Sequence, residues 1–271
     1  SPALGAPENA AYAVLRGPFD SWLASQAEQA GAECVFGITV DGLVKDGARI
    51  AGIRANGDEI TADITILADG ANSLLVEEAG LGKRPLPHQM AVSAKETIAL
   101  PPETIDDRFR AAPGEGTAWL FAGSPTGGHV GGGFLYTNRD SVSIGLVATL
   151  SDLCTSTVAL PDLLERFKQH PAVEPVLRGG KLVEYSGHMV PEGGLAMVPE
   201  LTGDGCLVAG DAAMLCVNLG YQVRGMDYAL ASGRMAAEAA LEALEAGDTS
   251  AAGLQGYRSR LEQSFVLQDM R

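Results

Sequence analysis

Two strand-to-turn corners hold the residues whose types and spacing suit ligand chemistry. One is the run Cys206-Leu-Val-Ala-Gly210-Asp211-Ala-Ala, followed by Asn218-Leu219-Gly220-Tyr-Gln-Val-Arg-Gly-Met-Asp227. A short buried strand there delivers Gly210 and Asp211 at its C-terminal edge, where ligands bind in open α/β sheets. A carboxylate in that place accepts hydrogen bonds from sugar or polyol hydroxyls. Residues 218–225 lead into a helix, and the N–H groups and dipole at a helix start favour phosphate or an electron-rich ring. A plainer role fits the same residues: Asp211 caps a helix and the glycines only turn the chain. The other corner, Ile64-Thr-Ile-Leu-Ala-Asp69-Gly70-Ala-Asn-Ser73, is a second continuous apolar run that ends on Asp-Gly.

Other reactive side chains lack a constellation. His88, His129, His170 and His188 have no metal-ligand spacing, so surface or satisfied histidines are expected. Cys34, Cys154, Cys206 and Cys216 form no C-x-x-C pair, which predicts reduced, buried thiols and no zinc or iron–sulfur site. Met189, Met197, Met214, Met226 and Met235 read as core filler. Trp119 and Tyr136 read as packing residues, and Glu103, Asp106 and Asp107 as a solvated helix face. There is no Gly-x-Ser-x-Gly elbow, Walker loop or H-E-x-x-H. No catalytic side chain is assigned.

The elements that must position the two corners follow from periodicity. A strand is expected over 11–15, then a helix capped by Asp20 and stopped by Gly31, then a strand over 33–36. A meander follows, with turns at Lys45-Asp46-Gly47 and Asn56-Gly57, dipeptides that tolerate positive φ. The run 64–68 suits a strand buried on both faces. A short helix over 72–80 precedes a Pro85-Leu86-Pro87 boundary. Residues 88–150 read as long strands (90–100, 117–122, 129–136, 141–149) with Gly-rich gaps. Helices near 160–169 and 171–178, a strand over 181–189, a buried strand over 206–209 and helices over 225–245 and 250–268 complete the chain. Leaving one layer and returning to it predicts an α+β fold: an incomplete α/β layer at 11–85 and 201–271, and a β-rich domain at 86–200.

Composition narrows the function classes. The 271 residues carry 19 Lys+Arg and 34 Asp+Glu, a net charge of −15, with 46% hydrophobic and 20% charged residues. That is an ordinary globular balance. No window is basic enough to track phosphates, so nucleic acid is not an expected partner. No run of ~18 apolar residues exists to span a membrane.

Three ordered motifs carry a family resemblance over nearly the whole chain. Residues 206–213 resemble the flavin-contacting Gly-Asp motif of FAD-dependent oxidoreductases with a glutathione-reductase-type fold. Residues 64–73 are similar to their middle motif, Ala-Asp-Gly-x-x-Ser. Arg16-Gly-Pro-Phe19-Asp20-Ser-Trp22-Leu23-Ala24 resembles a block of the branch that holds geranylgeranyl reductases and FixC proteins. Within that branch, residues 113–121, 131–138 and 218–227 resemble FixC and electron-transfer-flavoprotein:quinone oxidoreductases.

The resemblance implies FAD as cofactor. Asp211, with Gly210, would hold a ribityl hydroxyl. The N–H groups near Asn218, Leu219 and Gly220 would face the flavin pyrimidine edge. Asp69 and Gly70 would support the cofactor from the second strand, and Arg16 would lie by the pyrophosphate. The β-rich part would cover the flavin as a substrate or quinone domain. Electrons would come from an electron-transfer flavoprotein and leave to a quinone or a ferredoxin. The alternatives are a geranylgeranyl-reductase-like enzyme saturating isoprenoid double bonds and a non-catalytic docking module. The resemblance further implies a cytoplasmic protein with peripheral contact at the inner face of the membrane, through a small apolar patch in 86–200, although a charge of −15 opposes an anionic surface. The family opens with a strand followed by Gly-x-Gly-x-x-Gly and, further on, an acidic residue for the adenosine ribose; neither occurs here. The chain begins at Ser1, and the expectation is a central fragment of a longer protein.

Overall fold

The computed structural model describes residues 12–112, 114–218 and 223–271, with only the backbone given for residue 218. The chain opens with α1 (Arg16–Gln29) and the strands β1 (Val40–Asp46), β2 (Arg49–Ala55), β3 (Asp58–Thr61) and β4 (Thr65–Leu67), then α2 (Leu75–Glu78). Next come β5 (Met90–Ala99), α3 (Pro102–Phe109), β6 (Ala118–Phe121), β7 (Gly131–Thr137), β8 (Ser141–Thr149), α4 (Leu150–Thr155), α5 (Leu160–Lys168), α6 (Glu174–Leu177) and β9 (Lys181–Pro191). It closes with β10 (Thr202–Gly203), β11 (Cys206–Val208), β12 (Val217–Asn218), β13 (Val223–Arg224), α7 (Met226–Ala246), α8 (Gly256–Gln263) and α9 (Phe265–Asp269). Helices and sheets are mixed, as the α+β reading expects.

Among the described residues four sheets form: the meander β1-β2-β3, the trio β10-β11-β4, the pair β12-β13 and the five-stranded sheet β6-β7-β8-β5-β9. The meander turns as the sequence predicts, with Asn56 at φ 53° and Gly57 at φ 88°. β11 and β4 run parallel, with Thr65, Ile66 and Leu67 opposite Cys206, Leu207 and Val208. Their partners in the core are α7, α8 and α9: Leu67, Leu207 and Val208 share one apolar cluster with Tyr228, Ala236, Ala239, Tyr257 and Leu261. Tyr257 donates its hydroxyl to the Val208 carbonyl at 2.9 Å, tying α8 to the end of β11. Burial pushes the Tyr257 hydroxyl well above its ordinary pKa, so it stays a donor.

Six expectations are corrected. Residues 12–15 form no strand, and residue 11 lies outside the described residues. α1 starts at Arg16, four residues before the expected cap, because Arg16 bonds Asp20 one turn on at 3.0 Å. Asp20 thus serves an i,i+4 pair instead of a cap. Residues 33–36 are not a strand: no neighbouring strand among the described residues offers them hydrogen bonds, and Val35 and Phe36 stay exposed. β4 is buried on one face only, with Leu67 enclosed and Ile66 exposed. The final helix breaks at Ser264, whose extended backbone and side chain cap Val266. Buried cysteines are two, not four: Cys154 is exposed and Cys34 half-buried.

The five-stranded sheet has one face packed by helices. Leu135, Val142, Ile144, Leu146 and Ile98 cluster with Ile105 and Phe109 of α3, Leu163, Leu164 and Phe167 of α5, and Val176 of α6. Glu96 lies on this face, and its Oε2 sits 2.8 Å from Lys168 Nζ, a close ion pair between β5 and α5. Trp119 packs here too, 5.0 Å from the Phe109 ring. Among the described residues no helix is long and apolar enough to cross a membrane.

The Glu96–Lys168 pair yields a stability test. Lys168→Met leaves a buried carboxylate alone and lowers the unfolding free energy by about 3–5 kcal/mol in urea titration; Glu96→Leu with Lys168→Met recovers most of it. Burial opposes the Lys168 charge, but its bonds to Glu165 and Glu96 hold its pKa above the ordinary 10.5. A raised folded pKa means the pair's contribution is complete below pH 10.5 and fades as pH climbs past the folded value.

Candidate functional site

The parallel pair β4 and β11 ends at one edge. Ala209 N donates to the Leu67 carbonyl at 2.9 Å, so the register continues one step past both strands. Ala68-Asp69-Gly70 leaves one strand and Ala209-Gly210-Asp211 the other at the same side of the sheet. The two corners found in sequence, far apart in the chain, are therefore neighbours.

Each corner is held locally. Asp69 is exposed, and its Oδ1 accepts from the Ser73 hydroxyl at 2.7 Å. Ser73 Oγ in turn accepts from Val76 N at 3.1 Å, which fastens the start of α2. Gly210 has φ +64°, a left-handed conformation that costs any L side chain about 1–2 kcal/mol. Its N–H donates to Ser232 Oγ of α7 at 3.0 Å. Asp211 opens a 3-10 turn, Gly210–Ala213, rather than an α-helix. Its carbonyl accepts from Met214 N at 2.9 Å.

Three elements converge on the Asp211 carboxylate. Gly225, the residue before α7, packs so that a Cβ there would stand 3.6 Å from Asp211 Oδ1. The amino end of this 21-residue helix is thus beside the carboxylate, a favourable dipole arrangement. His188 of β9 brings Nε2 within 3.4 Å of Asp211 Oδ2. Arg16 acts on it electrostatically from α1. The Arg16 pKa rises above its ordinary value chiefly through the bond to Asp20, with burial opposing and the charges of Asp20 and Asp211 adding. The arrangement can take a hydroxyl or polyol at Asp211 and an anion near Arg16.

The predicted residues fall into two groups. Asp69, Gly70, Gly210 and Asp211 are gathered at the edge of β4 and β11, whereas Arg16 is paired with Asp20 on α1 and only its charge acts on Asp211. Asn218 lies on β12, its side chain undescribed, and Leu219 and Gly220 lie outside the described residues. The helix expected from residue 225 starts at Met226, and the antiparallel β12–β13 pair lies between it and the Asp211 corner. Arg224 on that hairpin is committed to the fold, bonded to Asp227 and Asp269 at 2.6 Å each. Burial lifts the Cys216 thiol to about 12 and the Cys206 thiol to about 11, so neither is a nucleophile here. His188 escaped the sequence reading: its role depends on β9 register across two sheets, which no local spacing encodes.

A parallel strand pair ending on Asp-Gly and Gly-Asp corners, backed by a long helix, defines a nucleotide-binding layer. The family profile for FAD dependent oxidoreductases matches residues 17–239. The chain belongs to the FAD-dependent oxidoreductase family. It is 52% identical over 265 residues to a probable electron transfer flavoprotein-quinone oxidoreductase, YdiS, of Escherichia coli K12. It is likewise 52% identical over 265 residues to protein FixC of that strain. Each match covers 98% of this chain but 62% of the relative, so the chain spans about three-fifths of their length. A geranylgeranyl bacteriochlorophyll reductase-like protein of Thermoplasma acidophilum shares the fold, with TM-score 0.72 and 22% identity over 93% of this chain and 60% of that one.

Ser73 tests the local scaffold. Ser73→Ala removes both the Asp69 bond and the α2 cap, and thermal unfolding should register a loss of about 1 kcal/mol. An unchanged melting temperature would show that the corner is held some other way.

Proposed function

We propose that the chain is the flavin-holding and acceptor-facing part of an oxidoreductase that takes electrons from an electron-transfer flavoprotein and passes them to a quinone or a ferredoxin. The observation that carries this reading is the convergence at one sheet edge of Asp69, Asp211 and the start of α7. The identity to YdiS and FixC supports the choice of electron transfer among flavin chemistries. In this reading residues 11–85 and 201–271 form the FAD-binding part and 86–200 the substrate part.

The donor set fits FAD. Asp211, partly buried and at a strand end, accepts a ribityl hydroxyl. Arg16 would lie toward the pyrophosphate. Asp69 and Gly70 shape the floor. Bound FAD supplies the redox chemistry, accepting and releasing electrons singly or in pairs. The protein's own residues bind it, orient it and screen it from water; none is needed as acid, base or nucleophile. Contact with a membrane, in this reading, is peripheral and on the cytoplasmic side.

Asp211→Ala removes a hydrogen bond to a charged acceptor, worth about 1.5–3 kcal/mol. FAD affinity should fall tenfold or more, read from the flavin's visible absorbance during titration. Asp69→Ala should weaken it less. A colourless wild-type protein that refuses added FAD would contradict the reading and favour a docking module without cofactor.

A further inference from the structure

The helix-covered side of the five-stranded sheet holds a cavity that the flavin reading leaves unused. It lies where β6 ends, against the carboxyl end of α5, on the side of the sheet opposite to His188 and the Asp211 corner. Its volume is about 440 Å³, within the roughly 300–1,000 Å³ of small-molecule sites. Phe121, Pro125 and Phe167 make an apolar wall, and Ser124, Arg166 and His170 a polar rim. Gly133 of β7 shapes the wall. A Cβ there would stand 2.9 Å from two ring carbons of Phe167 and 3.1 Å from Pro125 Cβ, so glycine lets both side chains approach the sheet. The Phe121 and Phe167 rings then meet edge to face, with centroids 4.9 Å apart and planes at 75°.

The rim carries charge of one sign only. Among the described residues no carboxylate lines this cavity, whereas the cavity beside Lys83 includes Glu77 and the one beside Lys168 includes Glu96 and Glu174. In a chain with 34 Asp+Glu against 19 Lys+Arg, an arginine on an acid-free rim stands out. Arg166 has no hydrogen bond or ion pair among the described residues. Yet Asp162 lies one turn back on α5, the same spacing at which Arg178 pairs with Glu174 at 2.7 Å. The five N–H donors of Arg166 are thus uncommitted beside a cavity. His170 is oriented as well. Its Nδ1 accepts from Ala172 N at 3.2 Å, which keeps the neutral ring's proton on Nε2, as a donor.

We propose that this cavity binds an aromatic monocarboxylate. The carboxylate sits on the Arg166 fork, whose paired N–H groups match its two oxygens, with His170 Nε2–H as a further donor. The ring lies against Phe121, Phe167 and Pro125, where edge-to-face contact is available. A free inorganic anion has no use for the aromatic wall. A hydrocarbon without a charge leaves both donors unpaired where it displaces their water. The site goes beyond the flavin reading and does not depend on it, because its ligand enters on the opposite side of the sheet.

The test is isothermal titration calorimetry of the protein, with and without added FAD, using phenylacetate and indole-3-acetate as probes. At least one should bind saturably at a single site, equally well with FAD present. Arg166→Gln should weaken binding roughly tenfold or more, and Arg166→Lys less, since it keeps the charge but loses the fork. His170→Leu should cost about threefold, and His170→Gln, which keeps an N–H donor, should stay closer to wild type. 2-Phenylethanol and acetate, each lacking one half of the ligand, should bind roughly tenfold more weakly or worse. Arg166 and His170 are exposed, so thermal unfolding of their variants should match wild type and separate lost binding from lost folding. Saturation by neither probe, equal binding by Arg166→Gln and wild type, or equal binding of 2-phenylethanol overturns the proposal. Displacement of the probe by FAD would place it in the flavin site and overturns the proposal as well.

Discussion

The parallel pairing of β4 with β11 is the constraint on which the site depends. It joins Thr65–Leu67 to Cys206–Val208 across the whole β-rich stretch of chain between them. Parallel strands require such a crossover, and they expose their C-terminal ends on one side. Asp69 and Asp211 share an edge for that reason alone. A shift of either strand by one residue would turn Leu67 or Val208 out of the core and carry the carboxylates with it. Tyr257 and Ser232 resist such a slip, the first through the Val208 carbonyl and the second through the Gly210 N–H.

The five-stranded sheet works differently on its two faces. One is closed by α3, α5 and α6 and contains the Glu96–Lys168 pair as its charged element. The other meets the Asp211 corner through His188, and a small apolar cluster of Ala91, Val147, Val190 and Cys216 packs at the same end. Alternation along β5 separates the two faces: Ala94, Glu96 and Ile98 point to the helix-covered side, Ser93, Lys95 and Thr97 to the other. A single strand thus supplies both faces of the sheet with alternate residues.

Much of this was legible in the sequence, and the exceptions have physical causes. The corners at Asp69 and Asp211 stood out because apolar runs ending on Asp-Gly or Gly-Asp are local signals. The meander, β7, β8 and α7 were readable for the same reason. Residues 33–36 have strand-like composition, but a strand needs a neighbour, and composition cannot supply one. Arg16–Asp20 shifted the start of α1 by giving Asp20 a better partner than a free N–H. His188 was invisible because its contact with Asp211 depends on register between strands far apart in the chain. Tyr136 was read as packing; it does pack, on Phe134, but on the open side of the sheet.

The central claim is that both corners hold one cofactor. Hydrogen exchange of the backbone amides, read by mass spectrometry with and without FAD, addresses it directly. The account predicts that segments 68–70 and 209–211 gain protection together when FAD is added. Protection at one corner only, or at neither while FAD binds elsewhere, would contradict it.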